Sequence, residues 1–294
     1  MREKPNISLE VSEGMIIECI TDLYINPKKS IIKWSKITNQ TAQGKFAYPS
    51  QHLASLITKT KGGGSTARGD DLADGSEVKS CTRADQLNEC KKCGANILTW
   101  QNKCPYCGST EIKTDISSHW IFPITSDSEL DLLLNKIPRI ILILFDKEDI
   151  KKDNIRIRAW TINPKEKYVR DFFTDYYENN YKKKISEGKD PAPCNLHPLK
   201  YDFYLMNPKL IFHTEIMENE AKILFWNLDR PQEQPMVSSL LVKEKLIEIY
   251  GEEVRNLKKE DIVKKYPFIS DKDFSKLEMK KKILKSYKEK YQRR

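Results

Sequence analysis

Apolar and polar positions recur with a helical period over the first sixty residues. In "SEGMIIECITDLYI", which begins at Ser12, apolar side chains return every three or four positions, and the serine hydroxyl can cap the helix. A second helical stretch, "SQHLASLITKTK", follows Pro49 and stops at the three glycines of residues 62–64. The pattern therefore predicts helices over residues 11–61.

Shorter apolar runs further along the chain indicate strands. "RIILILF" is continuously apolar, and "IRIRAWTI" alternates with a period of two. The capped helical segment "SELDLLLNKI" lies between the apolar run "HWIFPIT" and "RIILILF". A helix between two strands allows a crossover connection, so we predict an α/β fold whose mixed central sheet has helices on both faces.

The remainder of the chain continues this mixture of elements. "KYVRDFFTDYYENNYKKK" predicts an aromatic-rich helix, whose rings at helical spacing indicate core or a subunit interface before base stacking. "KLIFHTEI" and "AKILFWNL" predict a further hairpin. From about residue 237 onward the pattern is helical, and it ends in a basic stretch.

Composition and charge narrow the class of protein. The 294 residues are 39% hydrophobic and 32% charged, which suits a folded soluble protein, and the net charge of +9 is compatible with a polyanionic partner such as nucleic acid. No run approaches the roughly 18 apolar residues of a membrane span, and Met1 is followed by a polar stretch. These features predict a cytoplasmic protein without a membrane partner.

Four of the seven cysteines form a metal-binding pattern. Cys90, Cys93, Cys104 and Cys107 lie in "CKKCGANILTWQNKCPYCG", with the spacing C-x2-C-x10-C-x2-C and a glycine after each pair. This spacing predicts a zinc ribbon over residues 86–114, and four sulfur ligands leave no open coordination position, so its Zn²⁺ should be structural. The alternative is four unliganded buried cysteines. Lys91 and Lys92 beside the first pair are candidates for phosphate contacts.

The stretch "ARGDDLADGSEVKSC", residues 67–81, combines carboxylates with a lysine around a turn. On a strand, Glu77 and Lys79 would share one face, and Val78 would point into the core. Two oxygen ligands and one ammonium suit phosphodiester hydrolysis with a divalent cation. The alternative is charged surface, because Glu-x-Lys recurs at Glu111, Glu187 and Glu278, although none of these follows an aspartate and a tight turn.

The length of the turn decides which aspartate would join Glu77. A two-residue turn at Asp74 and Gly75 would place Asp70 on the Glu77 face, whereas a three-residue loop would place Asp71 there. We favour Asp71 because the apolar Leu72 that follows it suits a ligand at the edge of a buried strand, and Asp70 stays open.

These residues resemble a known family. "DDLADGSEVK" is similar to the PD-(D/E)XK nuclease motif, and "YPSQHLASLITKTKGGGSTARGDDLADGSEVKSC" with a four-cysteine insert behind it resembles type II restriction endonucleases of the MamI kind. The resemblance is best over residues 48–125 and implies a PD-(D/E)XK core. It implies that Asp71, Glu77 and the Val78 carbonyl bind catalytic Mg²⁺, and that Lys79 positions the attacking water.

The resemblance also implies partners and regions. It predicts a homodimer that cleaves double-stranded DNA at a specific sequence, leaves 5′-phosphates and serves a restriction-modification system. Arg68 and Arg83 flank the proposed hairpin, where a phosphate contact is expected. The predicted regions are an N-terminal helical region (1–47), the nuclease core (48–236) with the ribbon inserted at 86–114, and a basic C-terminal helical region (237–294).

Two other functions remain open at this point. One is a non-catalytic nucleic-acid-binding protein that uses the ribbon, and the other is a repair or junction-resolving nuclease on the same core. His52, Gln51 and Ser55 lie on the helix that some members of the superfamily use to complete the site. His119, His197 and His213 have no second ligand signal beside them in the sequence, so we interpret each as a satisfied structural histidine. We interpret Cys81 as a core thiol.

Overall fold

The computed structural model describes residues 6–64, 71–147 and 154–235. Its helices are α1 (Glu13–Ile20), α2 (Asn26–Thr38), α3 (Ala47–Ile57), α4 (Asp127–Asp131), α5 (Lys167–Tyr176), α6 (Lys183–Ser186) and α7 (Tyr201–Leu205). Single π-helical segments at Thr21–Ile25, Leu132–Lys136 and Tyr177–Lys182 continue α1, α4 and α5. The strands are β1 (Glu77–Thr82), β2 (Asn88–Cys90), β3 (Asn96–Ile97), β4 (Ile112–Lys113), β5 (Trp120–Phe122), β6 (Ile140–Asp146), β7 (Ile155–Ile162), β8 (Cys194–Leu196), β9 (Lys209–Met217), β10 (Glu220–Trp226) and β11 (Gln232–Glu233).

The central sheet is mixed, as predicted. Its strand order is β1-β6-β7-β9-β10, and β11 pairs with β9. β1 runs parallel to β6, with Glu77 opposite Ile140 and Lys79 opposite Leu142, and the other pairings are antiparallel. The predicted hairpin of "KLIFHTEI" and "AKILFWNL" is present as β9 and β10.

The crossover in this sheet differs from the one suggested by the apolar pattern. The parallel pair is β1 and β6, so the crossover contains the cysteine-rich segment as well as the predicted helix. The "WIF" strand, β5, pairs instead with β8 in a separate two-stranded sheet. Its partner lies more than seventy residues away in the sequence, and apolar periodicity carries no information about such a distant pairing.

Helices cover both faces of the central sheet. One face packs against α1 and α3 in a single hydrophobic core, which contains Ile16, Leu53, Val78, Ile141 and Ile157. The opposite face packs against β5, α5 and α7, where aromatic side chains meet: Trp120 with Trp160 and Phe203, and Phe122 with Phe173. The predicted two-sided arrangement is confirmed.

The N-terminal helices follow the predicted pattern closely. Ser12 caps α1 by accepting a hydrogen bond from the Met15 backbone N–H at 3.3 Å. α3 begins at Ala47, two residues before Pro49. Pro49 therefore lies in the first helical turn, where a proline has no intrahelical N–H bond to lose.

The cysteine-rich segment forms a small sheet of its own with the order β3-β2-β4. It contacts α2 through Trp100, whose indole N–H donates to the Ser35 hydroxyl at 2.9 Å. The Nζ atom of Lys36 lies 5.9 Å from the centre of the same ring. These two contacts attach the ribbon to α2 in the N-terminal helical region.

The chain divides into two compact units, Met1–Gln234 and Pro235–Arg294. All of the elements named above belong to the first unit. The predicted C-terminal helical region, 237–294, lies outside the described residues, and the proposed boundaries of the other regions stay predictions. None of the helices in the described ranges has the length and apolar character that crossing a membrane requires.

Candidate active site

The turn before β1 is a three-residue loop. The N–H of Leu72 donates to the Ser76 carbonyl at 3.3 Å, and the N–H of Gly75 donates to the Leu72 carbonyl at 2.9 Å. Gly75 has φ of 85°, a conformation that favours glycine. Upstream of the loop, the Asp71 carbonyl accepts from the Gly63 N–H at 3.1 Å. The chain before the loop is therefore paired on its other side with the segment that follows α3.

This loop directs the Asp71 side chain to the start of β1. Its Oδ2 atom accepts a hydrogen bond from the Val78 backbone N–H at 2.8 Å. Its Oδ1 atom accepts from the side-chain amide of Gln51 on α3 at 2.5 Å. Asp71 is thus held from two directions, while Asp70 lies outside the described residues.

Glu77 and Lys79 contact each other directly. The Nζ atom of Lys79 lies 2.6 Å from Oε1 of Glu77, and Glu77 is only 2% exposed. The ammonium group also lies 5.9 Å from the ring centre of Phe122 on β5. A buried carboxylate requires a partner of opposite charge, and Lys79 provides it.

The backbone of Val78 faces the edge of the sheet while its side chain enters the core. The Glu77 N–H donates to the Arg139 carbonyl just before β6, and the N–H of Arg83, just after β1, donates to the Phe145 carbonyl in β6. Because N–H and C=O groups alternate in direction along a strand, those of Val78 point away from β6. Asp71 binds the N–H on that side. The Val78 carbonyl therefore faces the same region as the Asp71 carboxylate.

Arg139, immediately before β6, anchors the loop and was not singled out from the sequence. Its guanidinium donates to Asp74 Oδ2 at 2.8 Å and to the Ser76 hydroxyl at 3.0 Å, and its backbone carbonyl accepts from the Glu77 N–H at 3.2 Å. Asp74 in turn accepts from the Ser76 N–H at 3.0 Å. A lone arginine before an apolar strand gives no sequence signal for this contact.

The competing Glu-x-Lys tripeptides have a different environment. Glu111 is exposed, and Lys113 pairs with Glu89 at 3.0 Å on the surface of the ribbon. Glu187 and Lys189 form a solvent-exposed pair at 2.7 Å. Glu278 lies outside the described residues. The two described alternatives therefore have the character of charged surface.

The four cysteines of the ribbon converge as the spacing predicts. Their sulfur atoms all lie within 4.8 Å of one another. Cys90 Sγ is 3.6 Å from Cys107 Sγ, and Cys93 Sγ is 3.5 Å from Cys104 Sγ. A tetrahedral ion with bonds of about 2.3 Å to sulfur requires sulfur–sulfur distances of roughly 3.8 Å. The cluster thus fits a four-coordinate metal such as zinc.

The hydrogen bonds of these sulfurs also suit metal-bound thiolates. The backbone N–H of Cys93 lowers the pKa of the Cys90 thiol. The backbone N–H of Ala95 acts in the same direction on Cys93, but the sulfurs of Cys104, Cys107 and Cys90 together with burial raise the pKa of Cys93 to about 12. Four sulfurs this close cannot all ionise without a cation between them.

The candidate DNA contacts are distributed over two surfaces. Lys91 and Lys92 are exposed on the ribbon. Arg83 follows β1 and is half-buried, with its Nε–H donating to the Ser118 carbonyl at 3.2 Å. Arg68 lies outside the described residues.

Other residues weighed from the sequence have varied surroundings. His52 and Ser55 line a cleft of about 370 Å³ between α1 and α3. Cys81 is a buried core thiol whose pKa is raised to about 12 by burial. The rings of His119 and His197 lie 4.8 Å apart, a contact that nothing in their sequence surroundings indicates.

His213 differs from the satisfied structural histidine expected from the sequence. Its Nε2 atom is buried and has no hydrogen-bond partner within the described part of the chain. Burial, and then the charges of Arg158 and Arg156, lower the pKa of its imidazole.

The chain is similar to proteins of a known family. The family model of the MamI restriction endonuclease matches residues 33–244, a range that contains the Asp71 loop, the ribbon and the central sheet. The type II restriction enzyme MamI of Microbacterium ammoniaphilum is 29% identical over 163 residues, which are 55% of this chain and 47% of that enzyme. The chain therefore spans about half the length of this curated relative. No solved structure matches this chain.

Proposed function

Because this chain belongs to the MamI restriction endonuclease family, we propose that it is a type II restriction enzyme. It would hydrolyse phosphodiesters of double-stranded DNA at a specific sequence and leave 5′-phosphates. The observation that carries the proposal is the position of Asp71, whose carboxylate is bound to the backbone of β1 next to the buried Glu77–Lys79 pair. These groups suit hydrolysis of a phosphodiester with a divalent cation.

We propose that the fold is a PD-(D/E)XK core. Three features support it: α3 precedes the site, the acidic loop leads into β1, and β1 pairs in parallel with β6 after a crossover that contains α4. The helices on both faces of the sheet and the inserted ribbon are consistent with the same proposal.

The donor set at this site suits Mg²⁺. Two carboxylates and a backbone carbonyl are hard oxygen ligands, and Asp71, Glu77 and Val78 provide them around the first residues of β1. When bound, the cation would polarise the phosphate and lower the pKa of the attacking water. Gln51 and the Val78 N–H would hold the Asp71 carboxylate in the orientation that the site requires.

Lys79 would act on the attacking water and on the charge that develops at the phosphate. Its ammonium group is held beside Glu77 and above Phe122, so it is partly shielded from solvent while retaining some exposure. A fixed cationic donor in a shielded site stabilises developing negative charge without reorganising during the reaction. Lys79 would therefore be the catalytic residue, with Asp71 and Glu77 as the metal ligands.

The ribbon would hold one structural Zn²⁺ through Cys90, Cys93, Cys104 and Cys107. The sulfur–sulfur distances and the backbone N–H groups around them support this assignment. All four coordination positions would be filled by protein, so zinc would stabilise the ribbon and would take no part in hydrolysis.

The partner would be double-stranded DNA bound by a homodimer in the cytoplasm. A two-fold dimer matches a palindromic site, and a monomer mass in light scattering, both free and DNA-bound, would contradict this part of the proposal. Lys91 and Lys92 on the ribbon, and Arg68 and Arg83 around the acidic loop, would contact phosphates.

One cleavage assay separates this proposal from its alternatives. Purified protein is incubated with plasmid DNA and Mg²⁺, and the products are resolved on a gel. Discrete fragments support a restriction enzyme. An absence of cleavage with any divalent cation favours the non-catalytic binding protein, and cleavage confined to branched or damaged DNA favours a repair or junction-resolving nuclease.

A further inference from the structure

Three lysines form a stripe along the exposed side of α2. Lys29, Lys33 and Lys36 are all exposed, and they occupy the i, i+4 and i+7 positions, which lie on one side of a helix. The sequence of α2 contains no Asp or Glu. Among the residues that the structure describes, none of the three ammonium groups pairs with a carboxylate. Like charges at this spacing destabilise a helix, so the stripe is unfavourable unless an anion binds to it.

Two large apolar side chains lie beside this stripe. Trp34 is 58% exposed and Ile37 is 65% exposed, and their i, i+3 spacing makes them neighbours on the helix surface. The Nζ atom of Lys33 lies 5.6 Å from the centre of the Trp34 ring. The exposed side of α2 therefore combines a row of cations with an apolar patch.

The other side of α2 is fixed to the rest of the protein at both ends of the helix. In the first turn, the Nζ atom of Lys28 pairs with the buried carboxylate of Asp85 at 2.5 Å. Near the last turn, the Ser35 hydroxyl accepts from the Trp100 indole of the ribbon at 2.9 Å and donates to the Gln40 carbonyl at 2.5 Å. The exposed side is thus presented by a helix that is held in place.

Charge determines which partner suits this surface. A second copy of the chain would bury Trp34 and Ile37, but a two-fold dimer through α2 would set the lysines of one helix against the same lysines of the other. Like charges opposed across an interface are unfavourable. A polyanion neutralises the stripe instead. The ribbon attached to α2 carries Lys91 and Lys92, for which phosphate contacts are proposed above, so the two elements offer charges of the same sign to one partner.

We propose that the exposed side of α2 binds the DNA duplex, with its three lysines on phosphates of one strand and Trp34 and Ile37 against sugars and base edges. This inference rests on the proposed function. An α-helix fits the major groove of B-DNA. From Lys29 to Lys36 the helix rises about 10 Å, which is the rise of about three nucleotides in one strand. Each lysine therefore has a different phosphate within its range.

The anchor of α2 lies beyond the end of β1 that is farther from the proposed reaction site. Glu77 is the first residue of β1, and Asp85, which pairs with Lys28, follows its last residue by three. The six residues of β1 extend about 20 Å, which corresponds to about six base pairs of duplex. The contact with α2 is therefore to DNA that flanks the cleaved bond, and it contributes affinity without taking part in hydrolysis.

The salt dependence of binding tests the stripe. Affinity of the full chain for short duplexes of several unrelated sequences is measured in Ca²⁺ over a series of salt concentrations. Lys29→Gln, Lys33→Gln and Lys36→Gln should each weaken binding to every duplex and make the slope of log K against log salt shallower by about 0.9, and the triple variant by about 2.7. The melting temperature should not fall, because all three side chains are exposed.

Trp34→Ala separates the apolar contact from the charge. It should weaken binding by roughly tenfold and leave the salt slope unchanged, because an indole releases no counterions. The matched control for the lysine variants is Lys167→Gln on α5. Lys167 is exposed on a helix, but its charge is already paired with Asp171 at 2.8 Å. This control should keep the affinity and the salt slope of wild type.

The outcomes separate this surface from the proposed function. Wild-type affinity and salt slope in the triple lysine variant would overturn the role of α2 while leaving the nuclease proposal standing. A wild-type protein that binds no duplex would overturn both. A dimer that becomes a monomer in Trp34→Ala, together with a wild-type salt slope in the lysine variants, would identify α2 as a contact between two copies of the chain and contradict the assignment to DNA.

Discussion

The Nζ atom of Lys79 lies 2.6 Å from Oε1 of Glu77, and the side chain of Glu77 is far less exposed than that of Lys79, at 3% against 22%. The ion pair therefore matters more for Glu77 than for Lys79. Glu77 depends on the pair because its charge is away from water, whereas the Lys79 ammonium still reaches solvent. Their contact links the chemistry proposed for β1 to the stability of the strand.

A double-mutant cycle should detect this inequality. Lys79→Met removes the ammonium group from beside a buried carboxylate and should lower the free energy of unfolding by about 1–3 kcal/mol. Glu77→Leu should lower it less, and the double variant should recover much of the loss. Urea denaturation in metal-free buffer measures all three. If the effects of the two single changes simply add in the double variant, the ion pair makes no energetic contribution.

Gln51 should control the affinity for the catalytic cation. Gln51→Ala removes the amide that donates to Asp71 Oδ1, so the carboxylate is held less firmly, and loss of such an orienting group typically weakens metal binding or activity by about 10–100-fold. We expect a higher Mg²⁺ concentration for half-maximal cleavage and unchanged DNA affinity in Ca²⁺. His52→Ala, on the cleft side of the same helix, is the control and should titrate with Mg²⁺ as wild type does.

Arg139 should hold the loop that positions Asp71. Arg139→Ala removes hydrogen bonds to Asp74 and Ser76 and should lower the free energy of unfolding by about 1–2 kcal/mol, with a matching loss of cleavage rate. Asp74→Asn keeps an oxygen for the Ser76 N–H and should have a smaller effect. Equal stability of Arg139→Ala and wild type in urea would show that the loop does not need this anchor.

Loss of zinc should unfold the ribbon. Native protein should contain about one zinc per chain by metal analysis, and chelation or Cys104→Ser should lower both the melting temperature and the cleavage activity, because coordination and folding are coupled. Cys19→Ser, at a half-buried cysteine outside the cluster, should retain its zinc. Native protein without bound zinc would contradict the structural site.

The parts of the fold encoded by local pattern were predictable from the sequence. The apolar run of β6 and the alternation of β7 each identify a strand without reference to other residues. The cysteine cluster is equally local, because each C-x2-C pair specifies its own turn. Asp71 could be preferred to Asp70 because the choice between them depends only on the length of one loop. The hydrogen bonds of Leu72 and Gly75 show that this loop has three residues.

Contacts between distant segments could not be predicted in this way. Gln51 meets Asp71 because of how α3 packs against β1. His119 and His197 meet because of the register of β5 and β8, which are short strands far apart in the sequence. Arg139 reaches Asp74 because β6 lies beside β1. Each contact depends on tertiary packing, and periodicity in the sequence reports only local environment.

Control variants for the Glu77–Lys79 pair, which we propose takes part in cleavage, come from the ribbon. Glu111→Ala and Lys113→Ala alter the competing tripeptide, whose side chains are in solvent. These changes should alter stability by no more than about 0.5 kcal/mol and preserve cleavage. Every variant is first shown to be folded at the assay temperature.

The most direct measurement compares cleavage in Mg²⁺ with DNA binding in Ca²⁺ for Glu77→Ala and Lys79→Ala. The first change removes a proposed cation ligand and the second removes the ammonium that would stabilise the attacking hydroxide. We predict that both variants bind DNA in a gel-shift assay and that neither cleaves it at a detectable fraction of the wild-type rate. Cleavage by both variants at the wild-type rate would show that this pair is not the catalytic site.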